Sequence, residues 1–225
     1  LLYNAILTND SSLVDGKGIG DPTEYALLEM FRKIPVQTGE TVLKNGFEED
    51  IFRKSMKRLE EIPFDSDRKL MSTKYFLHGK PTILTKGALD VLLNRCVSIR
   101  TADGIIPITK EQKARIYQEN EHFSEQGLRV LAFAYRETDV PLTMEEERNY
   151  IFLGLIAMMD PPRPESIAAV ADAKRAGIRP VMITGDHKIT ATAIAKEIGI
   201  FEDGDVTVTG MELDAMSEEE LDAKI

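Results

Sequence analysis

The chain has 225 residues, 43% of them apolar, with 28 lysine and arginine side chains against 38 aspartate and glutamate, a net charge of −10. That length suits one large domain or two smaller ones, and no window approaches the roughly 18 apolar residues of a membrane span, so a soluble globular piece is expected. The acidic balance argues against non-specific nucleic-acid binding but leaves room for a local basic pocket around one anionic ligand.

The first residues, Leu1-Leu2-Tyr3-Asn4, hold neither an initiator methionine nor a basic n-region, and the chain reads as a fragment of something longer. Leu1–Thr8 predicts a short helix, followed by a polar loop over residues 9–20. Asp21-Pro22-Thr23-Glu24 has an N-cap, a first-turn proline and a glutamate at the third position, a capping box opening a helix to about Lys33. Residues 51–59 read as helical and 62–64 as extended. Residues 70–77 and 82–85 are strand-like runs joined by His78-Gly79-Lys80-Pro81, a hairpin signal.

Residues 88–95 read as a short helix. Cys96, the single cysteine, sits in apolar context and reads as a small buried hydrophobe suited to a reducing compartment. Strand runs at 97–100 and 105–108 flank Asp103-Gly104. A second capping box, Thr109 to Gln112, opens a helix that stops at Gly127. Residues 128–135 form an apolar strand, a short helix is capped at Thr143, and residues 150–159 are again strand-like. Strands joined mostly by hairpins predict an α+β domain with an antiparallel sheet flanked by helices.

Three prolines within Asp160-Pro161-Pro162-Arg163-Pro164 mark a boundary. Beyond it the pattern alternates: helix 165–176, a strand at 179–183, a turn, helix, and a strand at 206–208. That is the signature of a parallel, Rossmann-like sheet. The expected division is residues 1–157 and residues 158–225.

Several stretches could carry chemistry, each with a plainer alternative. Thr184-Gly185-Asp186 is a tight turn between an apolar strand and a helix, either an ordinary connection or a turn that offers backbone N–H groups to phosphate. Phe64 precedes a polar turn with Arg68 and Lys69, either a core ring beside a solvated loop or a stacking platform for a purine. Lys86-Gly87 ends a strand, a surface lysine or a compact charge beside a close backbone approach. Arg129 opens an apolar strand, on the solvent face or aimed at an anion. Glu24 by itself completes a cap, and residues 160–163 by themselves form a linker. The three histidines show no metal-ligand spacing with one another or with Cys96.

Taken together, GDPTEYALLE, PFDSDRKLMS, TKGALDVLLNRC, QGLRVLAFAYR, DPPRPE and MITGDHKITATAIAKEIGI occur in an order that resembles the cytoplasmic headpiece of P-type cation-transporting ATPases. The resemblance is strongest to the type II, calcium-pump-like group with bacterial members. It implies a nucleotide-binding domain, truncated at its start, followed by an incomplete phosphorylation domain of haloacid-dehalogenase type. It implies ATP and Mg²⁺ as cofactors and hydrolysis through an aspartyl phosphate. The partners implied are the phosphorylation, actuator and transmembrane domains of the same chain, at the cytoplasmic face of a membrane. Carried over by position, Phe64 stacks on adenine, Lys69, Lys86 and Gly87 line the pocket, and Glu24 meets the adenine amino edge. Arg129 contacts phosphate with Leu131 packed nearby, Asp160 and Arg163 belong to the hinge, and Thr184, Gly185 and Asp186 face the phosphate.

Two departures stand out: Ser66 occupies a position where relatives carry a phosphate-holding arginine, and Leu89-Asp90 replaces a proline-glutamate pair. No Asp-Lys-Thr-Gly-Thr stretch is present, so the chain alone is expected to bind nucleotide without ATPase activity. The rival expectations are a soluble haloacid-dehalogenase phosphatase with a large cap and a stand-alone ATP-sensing module, with a lipid flippase as a variant of the pump.

Overall fold

In the computed structural model, residues 1–34, 36–38, 41–43, 49–159, 162–184 and 188–222 are described. They form two compact units, Leu1–Asn120 with Val130–Met158, and Glu121–Arg129 with Met159–Ile225.

The first unit opens with α1 (Leu2–Leu7), the hairpin β1 (Ser12–Val14) and β2 (Lys17–Ile19), and α2 (Pro22–Lys33). The hairpin falls where a loop was expected, because strands of three residues are too short to show a periodicity. A second small hairpin, β3 (Val36–Thr38) and β4 (Thr41–Leu43), precedes α3 (Glu49–Ser55). Then come β5 (Arg58–Asp65), β6 (Leu70–Leu77), β7 (Lys80–Gly87), α4 (Leu89–Leu92), β8 (Cys96–Thr101), β9 (Gly104–Pro107), α5 (Lys110–Glu125), β10 (Arg129–Glu137) and β11 (Tyr150–Met158).

Seven of these strands make one sheet in the order β5-β6-β7-β10-β11-β8-β9. The sheet is mixed rather than purely antiparallel: β5–β6, β6–β7, β7–β10 and β8–β9 are antiparallel, but β11 runs parallel to β8. A parallel pair needs a long crossover, and the chain between β8 and β11 supplies it, with β9, α5 and β10. The β6–β7 turn is two residues, His78 (φ 50°) and Gly79 (φ 82°), left-handed at both positions as the twist of a tight hairpin requires.

The sheet is covered on both faces. On one, Tyr75, Leu77 and Leu84 pack with Ile6 and Leu7 of α1, Leu28 and Phe31 of α2 and Phe52 of α3. Phe133 joins this side through a neighbouring cluster with Ala5, Leu27 and Ile156. On the other, Leu70, Ile83, Ala132, Ala134, Tyr150 and Phe152 pack against Leu89, Leu92, Leu93 and Cys96. Residues one apart on β7, Ile83 and Leu84, therefore feed different cores, as a strand's alternation demands.

In the second unit, besides residues 121–129 at the end of α5 and the start of β10, the described elements are α6 (Pro164–Arg175), α7 (Lys188–Glu197), α8 (Gly210–Asp214) and α9 (Glu218–Asp222). Pro164 stands at the start of α6, and Thr209 and Glu212 form a reciprocal capping box on α8. The two strands expected here are not formed: neither 179–183 nor 206–208 belongs to a ladder, and Val181, Ile183 and Val206 are 73%, 94% and 57% exposed. A strand exists only where a neighbour takes up its backbone hydrogen bonds, and apolar content alone supplies no neighbour.

Candidate functional site

The register of the large sheet places the predicted residues in one row. Asp65 of β5 pairs with Leu70 of β6, Leu70 with Gly87 of β7, and Gly87 with Ala132 of β10. Phe64, Lys69, Lys86 and Leu131 are the chain neighbours of these four residues. One end of the sheet therefore gathers side chains that lie far apart in sequence.

Phe64 is 61% exposed, an aromatic ring left in solvent at the end of β5. The turn that follows is fixed from inside. Asp65 Oδ1 accepts from the Asp67 and Arg68 amides at 3.1 and 2.8 Å, and the Asp65 carbonyl accepts from the Lys69 amide at 2.6 Å. Lys69 takes a left-handed conformation (φ 56°), and its carbonyl accepts from the Ala88 amide at 3.1 Å. Its amine lies 3.5 Å from Asp90 of α4. Gly87 is required by that same approach: a Cβ there would stand 2.1 Å from the Lys69 carbonyl oxygen.

Lys86 and Glu24 form the charged centre. Nζ of Lys86 donates to Glu24 Oε1 at 2.5 Å, with side-chain exposures of only 6% and 15%. Glu24 Oε2 accepts from the Asp10 amide (3.0 Å), the Ser11 amide (3.1 Å) and the Ser11 hydroxyl (3.2 Å). The expected capping box is thus half formed. Asp21 accepts from the Thr23 amide at 2.8 Å, but the Glu24 carboxylate turns to the 10–11 segment and to Lys86 instead of the helix start. A lysine ammonium out of water is worth more to a carboxylate than one exposed amide is. Burial pushes the Lys86 amine below its ordinary value, against the opposing pull of Glu24.

Behind this pair lies a layer that sequence reasoning missed. The segment that holds Glu24 is itself held by two arginines: Arg53 donates to the Ser11 and Asn9 carbonyls at 2.6 and 2.7 Å, and Arg58 to the Asn9 and Leu7 carbonyls at 3.0 and 3.2 Å. Asn9 Nδ2 closes the arrangement on the Glu24 carbonyl at 2.8 Å. Carbonyl contacts of this kind leave no sequence motif.

Leu131 packs into the cluster of Ala5, Leu27, Phe133 and Ile156. Arg129 begins β10 and is exposed, grouped with the second unit, as are Arg163, the N-cap of α6, and Thr184. Asp160, Gly185 and Asp186 lie outside the described residues. The structure brings together Glu24 with Lys86, and Phe64 with the Lys69–Gly87 contact, all within the first unit.

The family described as "P-type ATPase, cytoplasmic domain N" matches residues 1–165. Calcium-transporting ATPase 1 of Lactococcus lactis subsp. lactis is 46% identical over 226 residues, covering 98% of this chain and 24% of the relative. A calcium-transporting ATPase of Listeria monocytogenes is 44% identical over 229 residues, covering 100% and 25%. Calcium-transporting ATPase 1 of Saccharomyces cerevisiae is 35% identical over 212 residues, covering 90% and 21%. The chain thus spans about a quarter of the length of the relatives it matches. With that match laid over the seven-stranded sheet and its charged end, the chain belongs to the P-type ATPase cytoplasmic N-domain family.

Proposed function

We propose that this chain is the ATP-binding headpiece of an ATP-driven cation pump, with Ca²⁺ the favoured ion. The observation that carries the reading is the exposed Phe64 ring at the end of a row that also holds Lys69 and Gly87 and adjoins the Lys86–Glu24 pair. An aromatic face left in water is a stacking surface for a purine, and it stands beside cations suited to the charged end of a nucleotide. Glu24, an acceptor, suits the adenine amino group. Arg129 would contact phosphate, with Leu131 packed nearby. The names of the relatives support Ca²⁺ as the ion.

In this reading residues 158–225 are part of a phosphorylation domain of haloacid-dehalogenase type. Asp160 and Arg163 lie at its hinge, and Thr184, Gly185 and Asp186 face the phosphate. The parent would transfer the γ-phosphoryl group to an aspartate, where the protein contributes positioning and electrostatic stabilisation. Mg²⁺ is assigned to the nucleotide phosphates, whose charge it would neutralise. No helix of the described residues is long and apolar enough to cross a membrane. The actuator and transmembrane domains of the parent would be the partners, with this headpiece at the cytoplasmic face.

The test is calorimetric titration with ATP. Phe64→Ala, at a site 61% exposed, should leave the fold intact yet weaken binding about tenfold or more, the loss of roughly 1–3 kcal/mol that stacking on one base supplies. Lys86→Ala should weaken it as well. Wild-type affinity in both variants removes the pocket assignment. The 225 residues hold no Asp-Lys-Thr-Gly-Thr stretch, so the chain alone is proposed to bind ATP without turnover. An acyl phosphate formed by this chain contradicts that part.

A further inference from the structure

On the face of the sheet opposite Lys86 and Glu24, a second buried charge system reaches the same turn. Glu147, just before β11, has a side chain with 0% exposure. Its Oε1 accepts from Arg68 Nη1 at 2.5 Å and from the Ser72 hydroxyl at 2.6 Å, and its Oε2 accepts from Arg95 Nη1 at 3.2 Å. Arg95 also donates to the Glu147 carbonyl at 3.1 Å. Ser72 Oγ lies 2.8 Å from Thr85 Oγ1, itself 2.8 Å from the Tyr150 hydroxyl, so polar contacts run across to the residue preceding Lys86.

Arg68 is the link. Its side chain is 9% exposed, and while Nη1 is held by Glu147, Nη2 donates to the carbonyl of Pro63, the residue before Phe64. Its backbone amide is tied to Asp65 in the turn. A guanidinium has a rigid planar fork, so fixing one end fixes the direction of the other. Nε of Arg68 is buried without a partner, which makes the guanidinium depend all the more on the contacts it does make.

We propose that Glu147 is a positioning residue of the candidate nucleotide site. Through Arg68 it sets the place of the Pro63–Lys69 turn, and with it the Phe64 ring and Lys69. This rests on the nucleotide reading above for the identity of the ligand, but not for the placing of the turn. Glu147 touches no ligand in this scheme. Its contribution is a buried negative charge without which Arg68 is left as an uncompensated cation and the turn loses its anchor.

The chain contains no tryptophan, so Phe64→Trp makes a single reporter at the turn. In that background the fluorescence anisotropy of the indole is read without nucleotide, and ATP affinity is read by titration. Glu147→Gln should lower the anisotropy and weaken ATP binding about tenfold. Arg68→Lys, which keeps the charge but not the fork, should do both and provides a second route if Glu147→Gln does not fold. Leu77→Ala, a core truncation at the far end of β6, should lower thermal stability and leave both readouts at the reporter's values. Unchanged anisotropy in both turn variants overturns the proposal, as does a fall in anisotropy with ATP affinity retained. If neither the reporter nor the wild type binds ATP, the nucleotide reading fails, while the anisotropy still decides whether Glu147 places the turn.

Discussion

Lys86 Nζ and Glu24 Oε1 stand 2.5 Å apart with both side chains nearly out of water, yet their surroundings are unequal. Glu24 has three further donors from the 10–11 segment, whereas Glu24 is the ion-pair partner of Lys86. Breaking a buried pair is costly in proportion to how uncompensated the remaining charge is, up to about 3–5 kcal/mol. Glu24→Gln should therefore destabilise the first unit by about 3 kcal/mol. Lys86→Met, which leaves a carboxylate still bonded to amides, should cost about 1 kcal/mol. Urea denaturation of the two variants checks the order, and equal losses would contradict it.

The same pair predicts a pH dependence. Burial lowers the Lys86 amine below its ordinary value of 10.5, so between the folded value and 10.5 the unfolded chain binds more protons than the folded one. Stability from this group then rises with pH across that window, because deprotonation relieves the buried charge. Tyr150, pushed up to about 12 by burial, acts in the opposite sense: its contribution is lost as pH rises above 10.0. The difference between wild type and Lys86→Met removes the tyrosine contribution. That difference should rise through the alkaline range just below 10.5, and a flat difference in denaturation midpoints would refute the assignment.

Much of the first unit was legible because its signals are local. The hairpin at His78-Gly79, the cap at Asp21 and the Thr109–Gln112 box each depend on residues a few positions apart, and each is present. The parallel β8–β11 pair was not legible, since it joins segments some 50 residues apart with no shared pattern. Glu147 was hidden for a different reason. It follows Glu145 and Glu146, and three acidic residues in a row read as a solvated surface until the fold turns one of them inward. The Glu24–Lys86 pair was not legible either, because a capping box is the nearest use for a glutamate at that position and Lys86 lies 62 residues away.

Gly87 and Gly79 offer a matched contrast. Both have positive φ, 159° and 82°, but a Cβ on Gly79 meets nothing within 4 Å, while one on Gly87 would stand 2.1 Å from the Lys69 carbonyl oxygen. Gly79→Ala should cost about 1 kcal/mol, for its left-handed backbone alone. Gly87→Ala should cost about 3 kcal/mol, because a backbone oxygen must move. It should also displace the Lys69 turn and weaken ATP binding, as Gly79→Ala should not. Paired denaturation and titration of the two variants decide it, and equal effects would show that the Lys69–Gly87 approach is unimportant.

Cys96 supplies a probe of how tightly the second core is closed. Its side chain is buried beneath Leu92, Leu93 and Tyr150, its thiol donates to the Leu92 carbonyl at 3.2 Å, and burial pushes its pKa up to about 12. At about pH 8 such a thiol is ionised in roughly one molecule in ten thousand, and the thiolate is the reactive form. Labelling of the native chain by a thiol reagent should therefore be slow, and its rate should scale with the population in which the core is open. Addition of urea should raise the rate in step with global unfolding. Leu92→Ala should raise it without denaturant, through a cavity beside the sulfur costing about 2–5 kcal/mol. Rapid stoichiometric labelling of the untreated wild type would show that this face of the sheet is open, contrary to the packing of Leu92, Leu93 and Tyr150 around the thiol.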